Sequence, residues 1–225
     1  MFKHYITGLA VWCLLLFSSH TQAQTDGTLL LRVYNHETLG FSRSMRAIDA
    51  SAYPAFLLIP AGAVTAGAAN IKGYTLQQGY EVFLASAGTY ILTETLKRSF
   101  KRLRPYQARQ DVLYYRGEKN VPETDSYSLP SGHTAMAFAN ATILSLQSRK
   151  WYVAVPMYAW AGGMALSRMW NGVHYPSDVA AGAVLGTAVA YVVYRLSDRI
   201  TPKSFQENPL QLQVAPVGFS FKKTF

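Results

Sequence analysis

Five long apolar segments rich in small residues constrain the fold of this chain more than any other feature of its 225 residues. The segments occupy residues 54–70, 80–96, 134–146, 151–166 and 179–194. β-Strands rarely exceed ten residues and usually alternate apolar with polar positions, which these segments do not. Half of the residues are apolar and only 15% are charged, so the chain can bury a substantial core. The sequence predicts an all-α fold, a helical bundle of five core helices that is membrane-embedded or membrane-associated.

The first 23 residues have the pattern of a secretory signal. Lys3 precedes an apolar stretch that ends at Phe17, and small residues follow at 21–23. Cys13 is the only cysteine, so cleavage before Gln24 leaves a chain with no disulfide and no thiolate metal ligand. An uncleaved anchor is the alternative. We expect an exported protein of the bacterial cell envelope, in the inner membrane or the periplasm.

The distribution of charge agrees with a membrane bundle whose first segment starts on the outer side. Threading the five segments alternately places residues 97–133 and 167–178 together on the outer, periplasmic side. In agreement with the positive-inside tendency, basic residues then fall on the inner side: Lys72, Arg149, Lys150, Arg195, Arg199 and Lys203. The long outer loop is basic too, so the bias is imperfect. The small residues suit close helix packing in lipid, but they would equally pack a soluble bundle.

The formal net charge of +9 indicates an anionic partner. Nucleic acid, an anionic membrane surface and a phosphorylated substrate all fit that description. Export argues against nucleic acid, as does the concentration of basic residues in one segment, 97–119. We therefore expect no nucleic-acid partner.

The first cluster of chemical interest is basic and lies at the end of the second apolar segment. If that helix continues to Pro105, Lys97 and Arg104 are seven residues apart on one face, with Lys101 near them. Like charges at helical spacing repel, so a site that gathers them needs an anion. A solvated basic helix end is the alternative interpretation.

The second cluster is Pro-Ser-Gly-His at 130–133. Proline and serine at a helix start are common capping residues, which accounts for Ser131. Gly132 permits close approach of a ligand, and free N–H groups of Ser131 and Gly132 would bind an anion with help from the helix dipole. His133 could then donate a proton to a group that leaves the anion.

The third cluster extends from Ser167 to Asp178. Arg168 offers a planar fork that matches two phosphate oxygens. Asp178 can cap the fifth apolar helix, which is the usual role of aspartate at such a position. It can also accept one ring N–H of His174, leaving the other nitrogen as a nucleophile or base.

Together the clusters form the pattern Lys-x6-Arg-Pro, Pro-Ser-Gly-His and Ser-Arg-x5-His-x3-Asp, eleven positions in all. In this pattern the chain resembles the type 2 phosphatidic acid phosphatase (PAP2) and vanadium haloperoxidase superfamily over residues 54–196. The predicted organisation is a signal peptide at 1–23, an N-terminal segment at 24–53, a PAP2-like domain at 54–200 and a C-terminal tail at 201–225 with a short strand at 214–225.

The resemblance implies an all-α enzyme that hydrolyses phosphomonoesters or diphosphates through a phosphohistidine, with no metal and no cofactor. His174 would attack phosphorus, and Asp178 would orient it. His133 would protonate the leaving oxygen and then activate water. The phosphoryl oxygens would be held by Lys97, Arg104, the Ser131 side chain, the Gly132 N–H and Arg168. Ser167 matches the pattern without a firm role.

The residues around the motifs favour a lipid substrate. Soluble acid phosphatases of the superfamily typically carry Gly-Ser-Tyr-Pro-Ser-Gly-His-Thr, whereas residues 125–134 read Asp-Ser-Tyr-Ser-Leu-Pro-Ser-Gly-His-Thr. The stretch at 172–186 is similar to membrane-type lipid phosphatases. A phosphorylated lipid or diphosphate, such as phosphatidic acid, phosphatidylglycerophosphate, undecaprenyl diphosphate or a lipid A phosphate, is the expected partner. A soluble periplasmic acid phosphatase, a vanadium-dependent haloperoxidase and a non-enzymatic envelope protein are the alternatives.

Overall fold

The computed structural model describes residues 20–118 and 127–206. Within these ranges the protein is helical and contains no β-strand, so the predicted all-α class is confirmed. The longer helices are α1 (His20–Tyr34), α2 (Leu39–Ala50), α3 (Ala52–Ala68), α4 (Leu76–Phe100), α6 (Gly132–Ser148), α7 (Trp151–Trp170) and α8 (Pro176–Ile200). Two four-residue helices are α5 (Pro105–Ala108) and α9 (Lys203–Gln206). Most of the predicted signal, at 1–19, and the predicted strand at 214–225 lie outside the described residues.

The five predicted core helices correspond to α3, α4, α6, α7 and α8. The structure adds α1 and α2, which come from the mixed, polar sequence before residue 54. Neither was predicted, because that sequence lacks a continuous apolar run. Leu30 and Tyr34 of α1 are buried in a core cluster with Met169 of α7 and Val179 of α8. Tertiary packing therefore stabilises α1 where its own periodicity gave no clear signal.

Helix α6 is the central helix of the bundle and packs against α4, α7 and α8. Ala137 and Ala141 of α6 are fully buried in a core cluster with α3 and α7. Ala139 is fully buried in a second cluster with α4 and α8. Small side chains allow helix axes to approach closely, so more neighbours can surround one helix.

The closest approach of α8 to α6 occurs at Gly186. A Cβ atom added there would lie 2.8 Å from the carbonyl carbon of Ala135 and 2.9 Å from the backbone N of Ala139. Both neighbours are backbone atoms that cannot rotate away. We therefore expect Gly186→Ala to destabilise the bundle by about 1–3 kcal/mol through overpacking.

Gly162 of α7 provides the matched control, because a Cβ there meets nothing within 4 Å. Gly162→Ala should leave stability unchanged or raise it by up to about 1 kcal/mol, since alanine is the better helix former. Thermal unfolding of both variants in detergent compares them directly. Equal midpoints would contradict the packing of α8 on α6.

Helix α4 ends earlier than the basic cluster in the sequence suggested. Thr75 begins the helix with a capping box, in which its Oγ accepts from the Gln78 N–H and the Gln78 side chain accepts from the Thr75 N–H. The helix stops at Phe100, because Lys101 adopts a left-handed conformation with φ of 50°. The predicted continuation to Pro105 is wrong, and Arg104 lies on extended backbone before α5. Lys97 and Arg104 are therefore not brought together by one helical face.

One helix among the described residues, α8, is long and apolar enough to cross a bilayer, and α2 with α3 forms a second such segment if the pair, bent by 44°, is taken as one span. Large apolar side chains are also exposed on the outer faces of the bundle. They include Leu57 and Leu58 of α3, Ile91 of α4, Val155 of α7 and Val184 and Tyr191 of α8.

Candidate active site

The segments that contain the three sequence clusters meet at one end of the bundle, around a cavity of about 630 Å³. One part of its lining is cationic and carries Lys97, Arg98, Arg104 and Arg168. Another part is aromatic and apolar and includes Tyr53, Phe56, Tyr90 and Met136. Gly132, His133 and His174 also line the cavity. Residues separated by up to 121 positions in the sequence, Tyr53 and His174, therefore line one cavity.

His174 lies in the short loop before α8, and Asp178 in the first turn of that helix. The His174 Nδ1 atom is 3.7 Å from Asp178 Oδ2, which is an ion-pair distance and longer than a hydrogen bond. Ser128 lies between them: its Oγ donates to Asp178 Oδ2 and is 3.4 Å from His174 Nδ1. The predicted contact between His174 and Asp178 is thus completed by a serine hydroxyl that the sequence pattern did not include.

The other ring nitrogen of His174 faces Arg104. A guanidinium nitrogen of Arg104 lies 3.4 Å from His174 Nε2 and donates at 3.1 Å to the Val173 carbonyl. Arginine has donors only, so this contact favours the tautomer in which Nε2 is the acceptor and carries a lone pair. The ring proton then resides on Nδ1, toward Ser128 and Asp178. This tautomer leaves Nε2 able to attack an electrophile held in the cavity.

Arg168 is buried beside the cavity and is oriented by two neighbours. One guanidinium nitrogen donates to the Asp49 carboxylate of α2 and, at 2.8 Å, to the Tyr115 hydroxyl. Its Nε has no hydrogen-bond partner within the two described ranges. A buried donor without a partner is unfavourable, and an anion bound in the cavity could satisfy it. Asp49 and Tyr115 therefore hold Arg168 in place, and its Nε–H remains able to donate to a phosphoryl oxygen.

The start of α6 differs in one respect from the sequence prediction. The Ser131 N–H donates to the Asp178 carbonyl at 3.0 Å, so it is not free to bind an anion. The Ser131 hydroxyl is buried 3.0 Å from the Thr134 hydroxyl and is not part of the cavity lining. Gly132 does line the cavity, and a Cβ added there would lie 3.8 Å from the Lys97 ammonium. The Gly132 backbone is thus the part of this motif that directly faces the cationic wall.

His133 lies on the aromatic part of the cavity. Its ring makes edge-to-face contacts with Tyr53 at 5.3 Å and Phe56 at 5.6 Å between centroids. Burial lowers the pKa of His133 well below its ordinary value, and the nearby positive charges of Arg168, Lys97 and Arg104 act in the same direction. A phosphate dianion would offset much of this local positive charge. Binding of the anion should therefore be coupled to protonation of His133.

The remaining basic residues near the cluster do not line the cavity, and three of them pair with carboxylates. Lys101 is exposed and does not line the cavity. Arg102 pairs with Asp26 and Asp178, Arg109 pairs with Asp111, and Arg116 pairs with Glu37. Ser167 is buried and donates to the Met164 carbonyl at 2.8 Å, one turn back in α7. Ser167 therefore fits a packing role within its own helix.

Several residues that organise the site could not be found from the sequence. Asp26 of α1 and Asp49 of α2 pair with Arg102 and Arg168 across long sequence separations. Tyr115 reaches Arg168 from a 3-10 turn at Tyr114–Gly117. For Ser128 the only signal was its position two residues before the Pro-Ser-Gly-His motif. In the described part of the chain, no group of three or more His, Cys, Asp or Glu side chains is arranged to hold a metal ion.

The fold and the cavity define an all-α protein with a histidine-containing anion site at one end of a helical bundle. A sequence model of the PAP2 superfamily matches residues 79–202, more than half of the chain. The chain therefore belongs to the PAP2 superfamily. All of the predicted site residues lie within this matched region.

Two curated relatives carry names of lipid phosphatases. The chain is 35% identical to a lipid A 1-phosphatase of Porphyromonas gingivalis over 57% of its own length and 23% of that protein. It is 27% identical to a lipid A 4′-phosphatase of Bacteroides thetaiotaomicron over 48% of each chain. The chain thus spans less than half the length of either relative.

A solved structure supports the architecture. The protein superposes on a transmembrane PAP2 type phosphatidylglycerolphosphate phosphatase from Bacillus subtilis with a TM-score of 0.65 and 21% sequence identity. The superposition covers 87% of this chain and 96% of that chain. At this identity the likeness establishes the shared fold.

Proposed function

We propose that this protein is a metal-independent lipid phosphatase of the PAP2 type, acting on a phosphomonoester or diphosphate through a phosphohistidine intermediate. The observation that carries the proposal is the cavity that His174 shares with His133 and with the cationic side chains of Lys97, Arg98, Arg104 and Arg168. These groups supply a nucleophile, a charge clamp and a proton donor. The names of the curated relatives agree with this activity.

In the first step, the lone pair on His174 Nε2 attacks phosphorus and the bond from phosphorus to the ester oxygen breaks. The electron pair leaves on that oxygen, which takes a proton from His133. Lys97, Arg104 and Arg168 stabilise the charge on the three phosphoryl oxygens, with the Gly132 N–H as a further donor. The positive charge that develops on the His174 ring is balanced by Asp178 through Ser128.

In the second step, His133 is neutral and takes a proton from water as the water oxygen attacks phosphorus. The phosphorus–nitrogen bond breaks, and its electron pair returns to His174 Nε2. Inorganic phosphate leaves, and His133 is again protonated for the next cycle. The Ser131 side chain, which the family pattern would place on a phosphoryl oxygen, would have to rotate away from Thr134 to take part.

The shape and surroundings of the cavity support a lipid substrate. Its aromatic and apolar wall includes Tyr53 and Tyr90, whose side chains are 66% and 59% exposed at the rim. An acyl or prenyl chain can contact these residues while the phosphate occupies the cationic wall. The exposed apolar faces of the bundle support a location in or on a membrane. We propose that the site faces the periplasm.

The proposal is tested by phosphate release in detergent with EDTA present. The substrates are phosphatidic acid, undecaprenyl diphosphate and a small soluble phosphomonoester. We expect EDTA-resistant release with a kcat/KM at least about 10-fold higher for a lipid, since burial of only two methylene groups supplies that difference.

Each other outcome selects an alternative. Preference for the soluble ester would indicate a periplasmic acid phosphatase. Bromide oxidation after loading with vanadate, without phosphate release, would indicate a haloperoxidase. No activity of either kind would favour a non-enzymatic envelope protein.

A further inference from the structure

A chain of charged groups lies behind His174, away from the cavity. Arg102, in the loop after α4, contacts two carboxylates at once: one guanidinium nitrogen is 2.7 Å from Asp178 Oδ1, and the other is 2.8 Å from Asp26 Oδ2. Asp178 is fully buried, and Asp26 is only 7% exposed. The chemistry proposed above uses Asp178 but gives no role to Arg102 or Asp26.

Asp26 also ties α1 to the first turn of α8. Its Oδ1 accepts from the Ser177 N–H at 2.9 Å, and its Oδ2 accepts from the Ser177 hydroxyl. Arg102 donates to the same hydroxyl and lies 4.2 Å above the ring of Tyr175. These contacts fix both sides of the turn that presents His174 and Asp178. A surface ion pair would not show this burial or this number of shared partners.

We propose that Arg102 and Asp26 are positioning residues for the nucleophile. Arg102 holds the Asp178 carboxylate in line with Ser128 and His174, and Asp26 holds Arg102 and balances its charge. This inference rests on the proposed function. Asp26 belongs to α1, which precedes the residues 79–202 that match the PAP2 family model.

The proposal is testable because Arg102 is positively charged and Asp26 is negatively charged, so they have opposite effects on the protonation of His174. The charged and titratable groups that line the cavity with His174 or contact it include Glu94, Lys97 and Arg98 of α4, Arg104 before α5, His133 of α6, Arg168 of α7 and Asp178 of α8. The tyrosines of the lining are Tyr53, Tyr90, Tyr114, Tyr115 and Tyr127. Arg102 contacts Asp178 on the side away from the cavity, and Asp26 contacts Arg102, so the charges of both residues influence the protonation of His174. Asp26→Asn removes a negative charge and leaves Arg102 less balanced, which disfavours protonated His174. Arg102→Gln removes a positive charge and favours it.

The experiment measures the pH dependence of kcat/KM for phosphate release from the best substrate of the wild type. The rising, acid limb reports the deprotonation of the nucleophile in the free enzyme. We expect this limb to move to lower pH in Asp26→Asn and to higher pH in Arg102→Gln, each by about one unit. The double variant, in which both charges are absent, should return close to the wild-type position.

The kinetic constants provide a second readout. Arg102→Gln should lower kcat by about 10-fold or more with KM within about three-fold, because the phosphate clamp is untouched while the nucleophile is misaligned. Arg102→Lys, which keeps the charge, should restore the limb but only part of kcat. Asp198→Asn removes a carboxylate at the opposite end of α8 and is the matched control, expected to match the wild type.

Shifts in the same direction for both single variants, or no shift in either, would overturn the inference. If Asp26→Asn does not fold, Arg102→Gln and Arg102→Lys still test it, since an unshifted or lowered limb in Arg102→Gln contradicts the proposal. The titration of His174 can also be followed by 15N NMR of histidine-labelled protein, with the signal assigned by its loss in His174→Ala. That readout needs no turnover: opposite shifts there support the positioning role even if the wild type releases no phosphate, an outcome that would refute the proposed function alone.

Discussion

Replacing His174 with alanine is expected to lower phosphate release by about 10⁴-fold or more, the largest effect of any single substitution in this chain. In the proposed mechanism this side chain supplies the atom that forms the covalent intermediate. The measurement is initial-rate release of inorganic phosphate from a lipid substrate under EDTA. Incubation with labelled substrate should also give no phosphorylated protein.

His36→Ala is the matched control, because it removes the same side chain from a position outside the cavity. His36 follows α1 and contacts Phe41, with ring centroids 4.9 Å apart. We expect this variant to keep wild-type activity. Thermal unfolding of both variants checks that the bundle is intact. Normal turnover by folded His174→Ala would exclude the phosphohistidine mechanism.

Replacing His133 with alanine is expected to lower kcat by about 10²-fold to 10⁴-fold for a lipid phosphomonoester, which is the usual range for loss of a general acid. An alkoxide leaves poorly without a proton. An aryl phosphate with an acidic phenol leaves without one, so its first step should be nearly unaffected. The second step still needs a base to activate water, and His133→Ala cannot supply it.

The two effects together give a distinctive result with the aryl ester. His133→Ala should release one equivalent of phenol per enzyme in a burst and then turn over slowly, with acid-labile phosphate bound to the protein. His174→Ala should show no burst at all. An equal loss of activity for alkyl and aryl esters in His133→Ala would assign His133 a binding role in place of proton transfer.

The positions of the cationic residues show how far sequence spacing could predict the site. The pattern identified Lys97, Arg104 and Arg168, and the structure places all three at the cavity. The reason offered for the first pair was wrong, because α4 ends at Phe100 and a left-handed Lys101 turns the chain. Helical spacing describes neighbours only while the helix continues. The residues meet because the loop after α4 returns toward α8.

The Pro-Ser-Gly-His motif shows a similar division. Its place at a helix start was predicted from the capping residues, and α6 does begin at Gly132. The sequence could not show that the Ser131 N–H is already bonded to the Asp178 carbonyl. That bond joins α6 to α8, and only the packed bundle brings the two helix starts together.

The sequence by itself determined the all-α class, the five core helices and the chemical types present at the site, because apolar segments of helical length and motif residues are local properties of the chain. The tertiary structure alone decided which groups orient them. Asp49 holds Arg168, Ser128 joins His174 to Asp178, and Asp26 reaches Arg102 from a helix that no periodicity predicted. These carboxylates and hydroxyls carry no signature at their own positions, since their effect depends on a charge or ring nitrogen that folding brings within hydrogen-bonding or ion-pairing distance.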